Sequence, residues 1–182
     1  MNKWVTLQSE YLHKSAFGNI RKDCCELPDG RVIDDYFVNE YSDWVNGVII
    51  TKEKQMVLVE QYRHAAEDFF LEIPAGKKES NETHEEGLIR EVREETGYVS
   101  SIKPVLLGEF MVNPATQNNK VKTYLIQEAT KVTTQTLDET EEIGVHLYDF
   151  NNFGVLITTN KVKTQLFTAH AYFMAKNQLI NL

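Results

Sequence analysis

The nine residues REVREETGY crowd three carboxylates onto one stretch of predicted helix, and this feature constrains the fold more than any other. At about 100° per residue, Glu91, Glu94 and Glu95 share an arc of roughly 100°. Val92 lies at the border of that arc, so the acidic face meets the buried face. Like charges at this spacing repel, and partly buried carboxylates are costly unless positive charge lies among them. A solvated acidic face is the alternative.

Two sources of positive charge are available to such a helix. Arg90 reaches Glu94 at the i,i+4 spacing and orients its carboxylate. Glu91 and Glu95 then remain, and they offer the oxygen ligands that a hard divalent cation prefers. The pattern therefore indicates a Mg²⁺ site, with Mn²⁺ as a substitute.

The flanking segments alternate between strand and helix patterns. Thr83 and Glu86 form a capping box at the start of the helix, and Gly97 is a natural stop. The PDG turn at residues 28–30 marks an early hairpin. Further strands are predicted in DWVNGVII, QMVLVEQY, DFFLEIPAG (ending at Pro74 and Gly76), SIKPVLLGEFMV, KVKTYLIQEA and GVHLYDF, and a last helix in LFTAHAYFMAKNQL. Mixed hairpins and crossovers predict an α/β (α+β) sandwich.

Charge and length limit the classes of function. The 182 residues fit one domain with a small appendage, and the net charge of -8 argues against nonspecific nucleic-acid binding and against a polybasic membrane anchor. The sequence shows no secretory signal and no apolar run of membrane-spanning length. Adjacent Cys24 and Cys25 have no zinc spacing and suit a reducing compartment. We therefore expect a cytoplasmic protein.

A longer pattern encloses the acidic helix. The chain matches G-x5-E-x7-R-E-U-x-E-E-x-G-U, where U is a large aliphatic residue, except that Tyr98 fills the last position. The matching positions are Gly76, Glu82, Arg90, Glu91, Val92, Glu94, Glu95 and Gly97. This is the Nudix box, and the chain resembles a Nudix hydrolase. The resemblance implies a Nudix-type α/β/α sandwich with a mixed β-sheet.

The resemblance also implies roles for residues of the box. Glu91 and Glu95 resemble direct Mg²⁺ ligands, together with the carbonyl of Ala75. Glu94 resembles a ligand or near neighbour held by Arg90, and it is the catalytic candidate within the helix. Glu82 resembles a group that acts through water. A metal held in this way neutralises a diphosphate and polarises its phosphorus.

Segments outside the box resemble one branch of the family, the ADP-ribose and nucleoside-diphosphate-sugar pyrophosphatases. These segments are QYR followed by EIPAG, the N-terminal LPDGRVIDDYFVNEYSDWV, and Pro114, which lies sixteen residues after Tyr98. In that branch a β-rich arm precedes the Nudix domain and helps to build a homodimer. The resemblance therefore implies an arm at residues 1–41, which serves dimerisation, and a Nudix domain at residues 42–182.

Candidate substrate residues lie outside the helix. Arg63 is a fixed cation that could hold a phosphate, with a surface arginine as the alternative. Trp44 could stack on a base, although packing is the favoured interpretation. Pro114 marks the ADP-ribose type by resemblance. The loop that contains Pro114, NPATQNN, has no carboxylate where many ADP-ribose hydrolases have one. This difference weakens the case for strict ADP-ribose specificity and leaves another sugar or a broader range of substrates open.

A second acidic cluster, LDETEEIGV, precedes a late strand. By resemblance to the sugar-pyrophosphatase branch, Glu139 is the base that activates water and Glu141 an added metal ligand, with Glu142 in reserve. The implied reaction is Mg²⁺-dependent hydrolysis of a nucleoside diphosphate sugar, first ADP-ribose, to a nucleoside monophosphate and a sugar phosphate. The alternatives are hydrolysis of GDP-mannose, dinucleoside polyphosphates or nucleoside triphosphates, and a non-catalytic module that senses a nucleotide.

Overall fold

The computed structural model describes residues 2–180, and the chain divides into two compact units. The first unit contains the chain up to Asp43 together with Phe110–Val121, and the second contains Trp44–Glu109 and the chain from Lys122 onward. The boundary expected after residue 41 stays a prediction. The structure adds to the first unit a segment that lies far along the chain.

The first unit is built on a three-stranded antiparallel sheet in the order β1-β2-β3, with β1 at Val5–Ser15, β2 at Gly18–Glu26 and β3 at Val32–Glu40. The predicted turn between β2 and β3 is confirmed: Gly30 has φ of 85°, and its N–H donates to the carbonyl of Leu27 over 2.9 Å. Glycine adopts this left-handed conformation at little cost. The sequence analysis did not predict β1.

A polar network stabilises this small sheet. Asp23 is only 4% exposed, and it accepts hydrogen bonds from Ser9 Oγ at 2.7 Å and Arg21 Nε at 2.8 Å. Arg21 also pairs with Glu40. Burial alone would raise the pKa of Asp23, but the hydrogen bonds from Arg21 and Ser9 outweigh burial and hold the pKa below its ordinary value.

Removing the partner of this buried carboxylate should loosen the first unit. We expect Arg21→Met to destabilise the β1-β2-β3 sheet by about 3–5 kcal/mol, because Asp23 would stay buried without its cation. Arg31→Met is the matched control, since Arg31 pairs with Asp29 at an exposed site and should cost less than about 1 kcal/mol. Amide hydrogen exchange of the three strands measures both. Equal amide protection in Arg21→Met and Arg31→Met would contradict the role of Arg21 as the partner that stabilises buried Asp23.

The depressed pKa of Asp23 also predicts a pH dependence for the wild-type sheet. A group whose folded pKa lies below its unfolded value stabilises the fold above the unfolded pKa, and this contribution is lost as the pH falls through the folded pKa. The strands should therefore lose protection below about pH 4, and Arg21→Met should not show the same loss.

The second unit contains most of the larger sheet. The strand order in this sheet is β11-β5-β4-β10-β8, and three further strands pair beside it: β6 with β5, β7 with β4 and β9 with β10. The strands are β4 Trp44–Thr51, β5 Gln55–Arg63, β6 Asp68–Glu72, β7 Ala75–Lys77, β8 Tyr98–Val99, β9 Val105–Met111, β10 Lys120–Lys131 and β11 Ile143–Asp149. The helices are α1 His84–Thr96, α2 Phe150–Thr158 and α3 Leu166–Ile180.

Apolar side chains on the two faces of this sheet form two clusters. Successive residues of β5 point to opposite faces, so Leu58 joins the cluster that contains Phe153 of α2 and Tyr172 of α3, whereas Val57 joins the cluster that contains Leu88 of α1. The sheet therefore lies between α1 on one face and α2 with α3 on the other. The predicted α+β sandwich is confirmed, and within residues 2–180 it consists mostly of sheet with three α-helices.

The secondary structure of the second unit agrees only in part with what the sequence predicts. The predicted hairpin of β4 and β5 and the last helix, α3, are confirmed. The strand predicted to end at Pro74 and Gly76 is wrong in detail: β6 ends at Glu72, and β7 passes through Gly76 and pairs with β4. Helix α2 was missed, although Asp149 caps it by accepting from the N–H of Asn152 at 2.8 Å.

None of the helices within residues 2–180 combines the length and the apolar character needed to cross a membrane.

Candidate active site

Helix α1 begins and ends where its local sequence predicts. The Thr83 side chain accepts from the N–H of Glu86 at 3.2 Å, and the Glu86 carboxylate accepts from the N–H of Thr83 at 2.8 Å. At the other end, Gly97 has φ of 75° and its N–H donates to the carbonyl of Arg93. The capping box and the glycine stop are confirmed, and together they fix where α1 begins and ends.

Arg90 gathers the carboxylates of the helix and of the preceding loop. Its Nη1 donates to Glu91 and Glu94, each at 2.9 Å, and its Nη2 donates to Glu82 at 2.8 Å and to the carbonyl of Lys77 at 3.0 Å. The predicted pairing of Arg90 with Glu94 is confirmed. Arg90 also bonds Glu91, for which the sequence predicted a cation as partner, and the loop that folds back adds Glu82 as its third carboxylate.

Glu95 is the most deeply buried acid of the site. It is 4% exposed, and its Oε2 accepts from the N–H of Ala75 at 3.2 Å. Burial, and next the charge of Glu91, raise the pKa of Glu95 to about 8 despite that hydrogen bond. Burial likewise raises the pKa of Glu91. Both carboxylates therefore hold a proton more readily than a solvated glutamate, and a bound cation would favour their charged forms.

Strand β7 lies directly against these carboxylates. A Cβ atom added to Gly76 would fall 2.0 Å from the carboxyl carbon of Glu91. Glycine is the residue that permits such a close approach, since every other side chain would displace the carboxylate. Gly76 of the box therefore sets the distance between α1 and the backbone of β7.

A methyl group at residue 76 should displace the carboxylate of Glu91, which is predicted to be a metal ligand. We expect Gly76→Ala to weaken Mg²⁺ binding and lower turnover about 10- to 100-fold, the cost typical of disturbing the support of a metal ligand. Gly144→Ala is the control, because its Cβ would meet atoms no nearer than 3.3 Å, at the end of the His146 side chain. Titration of Mn²⁺ followed by electron paramagnetic resonance measures the binding. Equal affinities in the two variants would show that Gly76 has no such role.

Arg63 ends β5 on the same side of the sheet. Its guanidinium forms a two-pronged salt bridge with Glu72, through Nε at 2.8 Å and through Nη2. Glu72 raises the pKa of Arg63, and the charge of Glu95 adds to this effect, so Arg63 faces the box. Glu72 is 1% exposed and was given no role by the sequence analysis, although it is the glutamate of the EIPAG segment.

The acidic loop of residues 137–142 approaches the same carboxylates. The charge of Glu141 raises the pKa of both Glu91 and Glu95, and the Glu141 side chain accepts from the N–H of Asp138 at 3.1 Å. Glu139 lies at the exposed tip of this loop. Within residues 2–180, Glu139 forms no hydrogen bond or ion pair, so the structure brings Glu141 but not Glu139 into electrostatic contact with the box.

Two other sequence candidates lie elsewhere. The half-buried ring of Trp44 is centred 5.2 Å from that of Phe167 in α3, which agrees with the packing interpretation. Pro114 lies in the first unit, in the turn after β9. Both stay predictions as substrate-binding residues.

The donors of the box suit a divalent cation. Within the described part of the chain, no three Asp, Glu, His or Cys side chains converge closely enough to form a ready cation cage. The donor chemistry nevertheless fits Mg²⁺, since Glu91, Glu95 and Glu141 provide carboxylate oxygens and Ala75 a carbonyl. Burial is the main reason that the pKa values of Glu91 and Glu95 are raised, and a bound cation would offset the cost of keeping both groups charged.

Comparison with known proteins agrees with this arrangement. Residues 4–39 match the model of the nucleoside diphosphate sugar hydrolase N-terminal domain, and residues 43–170 match that of the NUDIX domain. The chain is 31% identical to the methanol dehydrogenase activator of Bacillus methanolicus over 126 residues, which cover 69% of this chain and 67% of that protein. It is 29% identical to the ADP-ribose pyrophosphatase of Bacillus subtilis (strain 168) over 141 residues, covering 77% and 75%.

A solved structure shows the same fold. The crystal structure of an ADP compounds hydrolase superposes with a TM-score of 0.85 at 17% identity, covering 100% of this chain and 96% of that one. The NUDIX model spans most of the chain and includes every residue of the box described above. This protein therefore belongs to the Nudix family of pyrophosphate hydrolases.

Proposed function

We propose that this enzyme hydrolyses the pyrophosphate bond of nucleoside diphosphate sugars in a reaction that depends on Mg²⁺, with ADP-ribose as the first candidate substrate. The observation that carries the proposal is the pair of carboxylates Glu91 and Glu95 on α1, which lie against the backbone of β7 at Gly76 and Ala75, near the cation Arg63. The match of residues 4–39 to the sugar-hydrolase N-terminal domain supports the choice of substrate class.

Glu91, Glu95, Glu141 and the Ala75 carbonyl are the groups that would hold the metal. Mg²⁺, or Mn²⁺ in its place, supplies charge neutralisation and polarises the phosphorus that is attacked. Without it, an acidic site in a protein of net charge -8 would repel a diphosphate.

The side chains of the protein supply binding and proton transfer. Arg63, fixed in orientation by Glu72, donates hydrogen bonds to a phosphate oxygen. Glu139 accepts a proton from the attacking water as the loop closes, with Glu94 as the alternative base. The water oxygen bonds to phosphorus and the bridging P–O bond breaks, which yields a nucleoside monophosphate and a sugar phosphate.

A hydrolysis screen tests the proposed substrate class. ADP-ribose, other nucleoside diphosphate sugars including GDP-mannose, a dinucleoside polyphosphate and a nucleoside triphosphate should be incubated with protein and Mg²⁺, and the products separated by ion-exchange chromatography. We expect the diphosphate sugars to be cleaved fastest. Preference for the triphosphate or the polyphosphate would contradict the proposal, and binding without cleavage would favour a nucleotide-sensing module.

We further propose a homodimer formed through the first unit. The outer strand β1 leaves Val5, Leu7 and Leu12 more than half exposed, and a sheet of three strands buries little apolar surface by itself. Light scattering should report twice the 21.0 kDa chain mass at micromolar concentration. A monomer would contradict the dimer but leave the proposed reaction intact.

We further propose that the reaction takes place in the cytoplasm. Cys24 and Cys25 are both free thiols, which agrees with a reducing compartment.

A further inference from the structure

The carbonyl groups at the end of α1 are bonded by the segment that leads into the acidic loop. The last carbonyls of any helix have no partner within the helix. Here the carbonyl of Glu94 accepts from the N–H of Thr136 at 2.9 Å, and the carbonyl of Glu95 accepts from Gln135 Nε2 at 2.7 Å. The metal-binding helix is thus completed by residues from about forty positions further along the chain.

The same side chain also closes the acidic loop at its base. Gln135 Nε2 donates a second hydrogen bond, of 2.9 Å, to the carbonyl of Ile143, the first residue of β11. One amide group therefore ties together the entry to the loop, its exit and the end of α1. The residues between these anchors, 137–142, contain Glu139 and Glu141.

The entry segment is held closely against the helix. The N–H of Val132 donates to the carbonyl of Gly97 at 2.9 Å, and a Cβ on Gly97 would fall 2.1 Å from the carbonyl oxygen of Thr133. The loop tip, by contrast, is exposed from residue 138 to residue 142. Because the two ends of the loop are fixed and its tip is exposed, the tip can move while the loop keeps a defined position relative to α1.

We propose that Gln135 is a positioning residue, which couples the acidic loop to the end of the metal-binding helix and so sets where the loop glutamates act. This inference rests on the proposed function, in which Glu139 of that loop is the base. Gln135 touches no reacting atom and acts only through the two carbonyls that it bonds. No motif contains it, so nothing in the Nudix box assigns it this role.

The first test measures the anchor without using activity. We expect Gln135→Met, which keeps the length of the side chain but removes both donors, to speed hydrogen exchange of the Thr136 amide about tenfold, the scale of one lost hydrogen bond. Thr134→Ala is the matched control, because within residues 2–180 the Thr134 side chain forms no hydrogen bond, and it should change that rate less than about twofold. An unchanged exchange rate of the Thr136 amide in Gln135→Met would contradict the proposal that Gln135 anchors the loop to α1.

The second test is a double-mutant cycle on turnover. Gln135→Met should lower kcat about tenfold with Mg²⁺ affinity unchanged, and should cost less than about twofold in a Glu139→Gln background, because the base it positions is already absent. Gln135→Lys, which restores an N–H donor, should recover part of the loss. An equal tenfold loss in both backgrounds would show a general structural effect and overturn the proposal. If the wild type cleaves no diphosphate, the proposed function fails while the exchange experiment still decides on the anchor.

Discussion

Glu95→Gln should lower turnover by about 10²- to 10³-fold while the fold is retained. Glutamine keeps the shape of the side chain but removes the negative charge that we propose binds the cation. A bound metal contributes several kcal/mol to transition-state stabilisation, and each 1.36 kcal/mol is a tenfold change in rate. Glu95 is the most deeply buried carboxylate of the box, so the loss of its charge should be felt strongly at the site. Steady-state rates and circular dichroism measure the two parts of this prediction.

Glu85→Gln is the matched control for this prediction. Glu85 lies in the first turn of the same helix and pairs with Lys103 at 3.5 Å, outside the cluster around Arg90. Its substitution should change turnover less than about twofold, since an exposed pair contributes little. A folded Glu95→Gln variant with the activity of Glu85→Gln would remove Glu95 from the metal site.

Glu95→Gln should lower turnover but should make the metal-free protein more stable than the wild type at high pH. The folded pKa of Glu95, about 8, lies above its ordinary value, so the native state holds an extra proton between the two. Its contribution is fully present below the unfolded pKa and is lost as the pH rises through the folded pKa, a change of about 3–5 kcal/mol at most. Thermal unfolding in chelator should therefore show that the wild type, but not Glu95→Gln, loses stability from about pH 5 to pH 9.

The second large effect concerns the acidic loop. Glu139→Gln should lower turnover about 10²- to 10⁴-fold, the usual contribution of a general base, and leave Mg²⁺ and substrate binding nearly unchanged. Glu139 lies on an exposed loop tip without bonds of its own, so its loss should not disturb α1. Glu91→Gln, on the rigid helix against Gly76, should weaken metal binding as well.

Titration of Mg²⁺ and of a non-hydrolysable substrate analogue against both variants separates the two roles. Turnover is then measured at saturating Mg²⁺. Normal activity in Glu139→Gln beside an inactive, metal-binding Glu141→Gln or Glu142→Gln would move the base within the loop. Activity in all three loop variants would place the base in α1, with Glu94 as the first candidate.

Local signals explain what the sequence predicted well. Helix α1 follows from a capping box and a glycine stop, both of which act within one turn of the chain. The eleven-residue strand β1 was missed because polar residues interrupt its apolar positions, and all its side chains are exposed. Helix α2 was missed because its aromatic and β-branched residues also suit a strand, and only the Asp149 cap distinguishes them.

The contacts that the sequence could not predict join residues that no local spacing rule relates. Arg90 bonds Glu82 because the loop folds back over the helix, and i,i+4 spacing carries no information on that. Glu72 becomes a partner of Arg63 only through the pairing of β5 with β6. Gln135 reaches Glu95 across forty positions, as a single amide in a polar loop without a recognisable pattern.

Metal dependence of hydrolysis tests the central claim, that the buried carboxylates of α1 hold the cation needed to cleave a diphosphate. Chelator-treated wild type and Glu95→Gln should each be titrated with Mg²⁺ in the presence of ADP-ribose, or of the diphosphate sugar that is cleaved fastest, and the two phosphate products measured. The expected result is equal amounts of nucleoside monophosphate and sugar phosphate, formed by the wild type only when Mg²⁺ is added and by Glu95→Gln at least about 100-fold more slowly at every Mg²⁺ concentration. Full activity of the wild type in chelator, or the same Mg²⁺ response in both proteins, would contradict it.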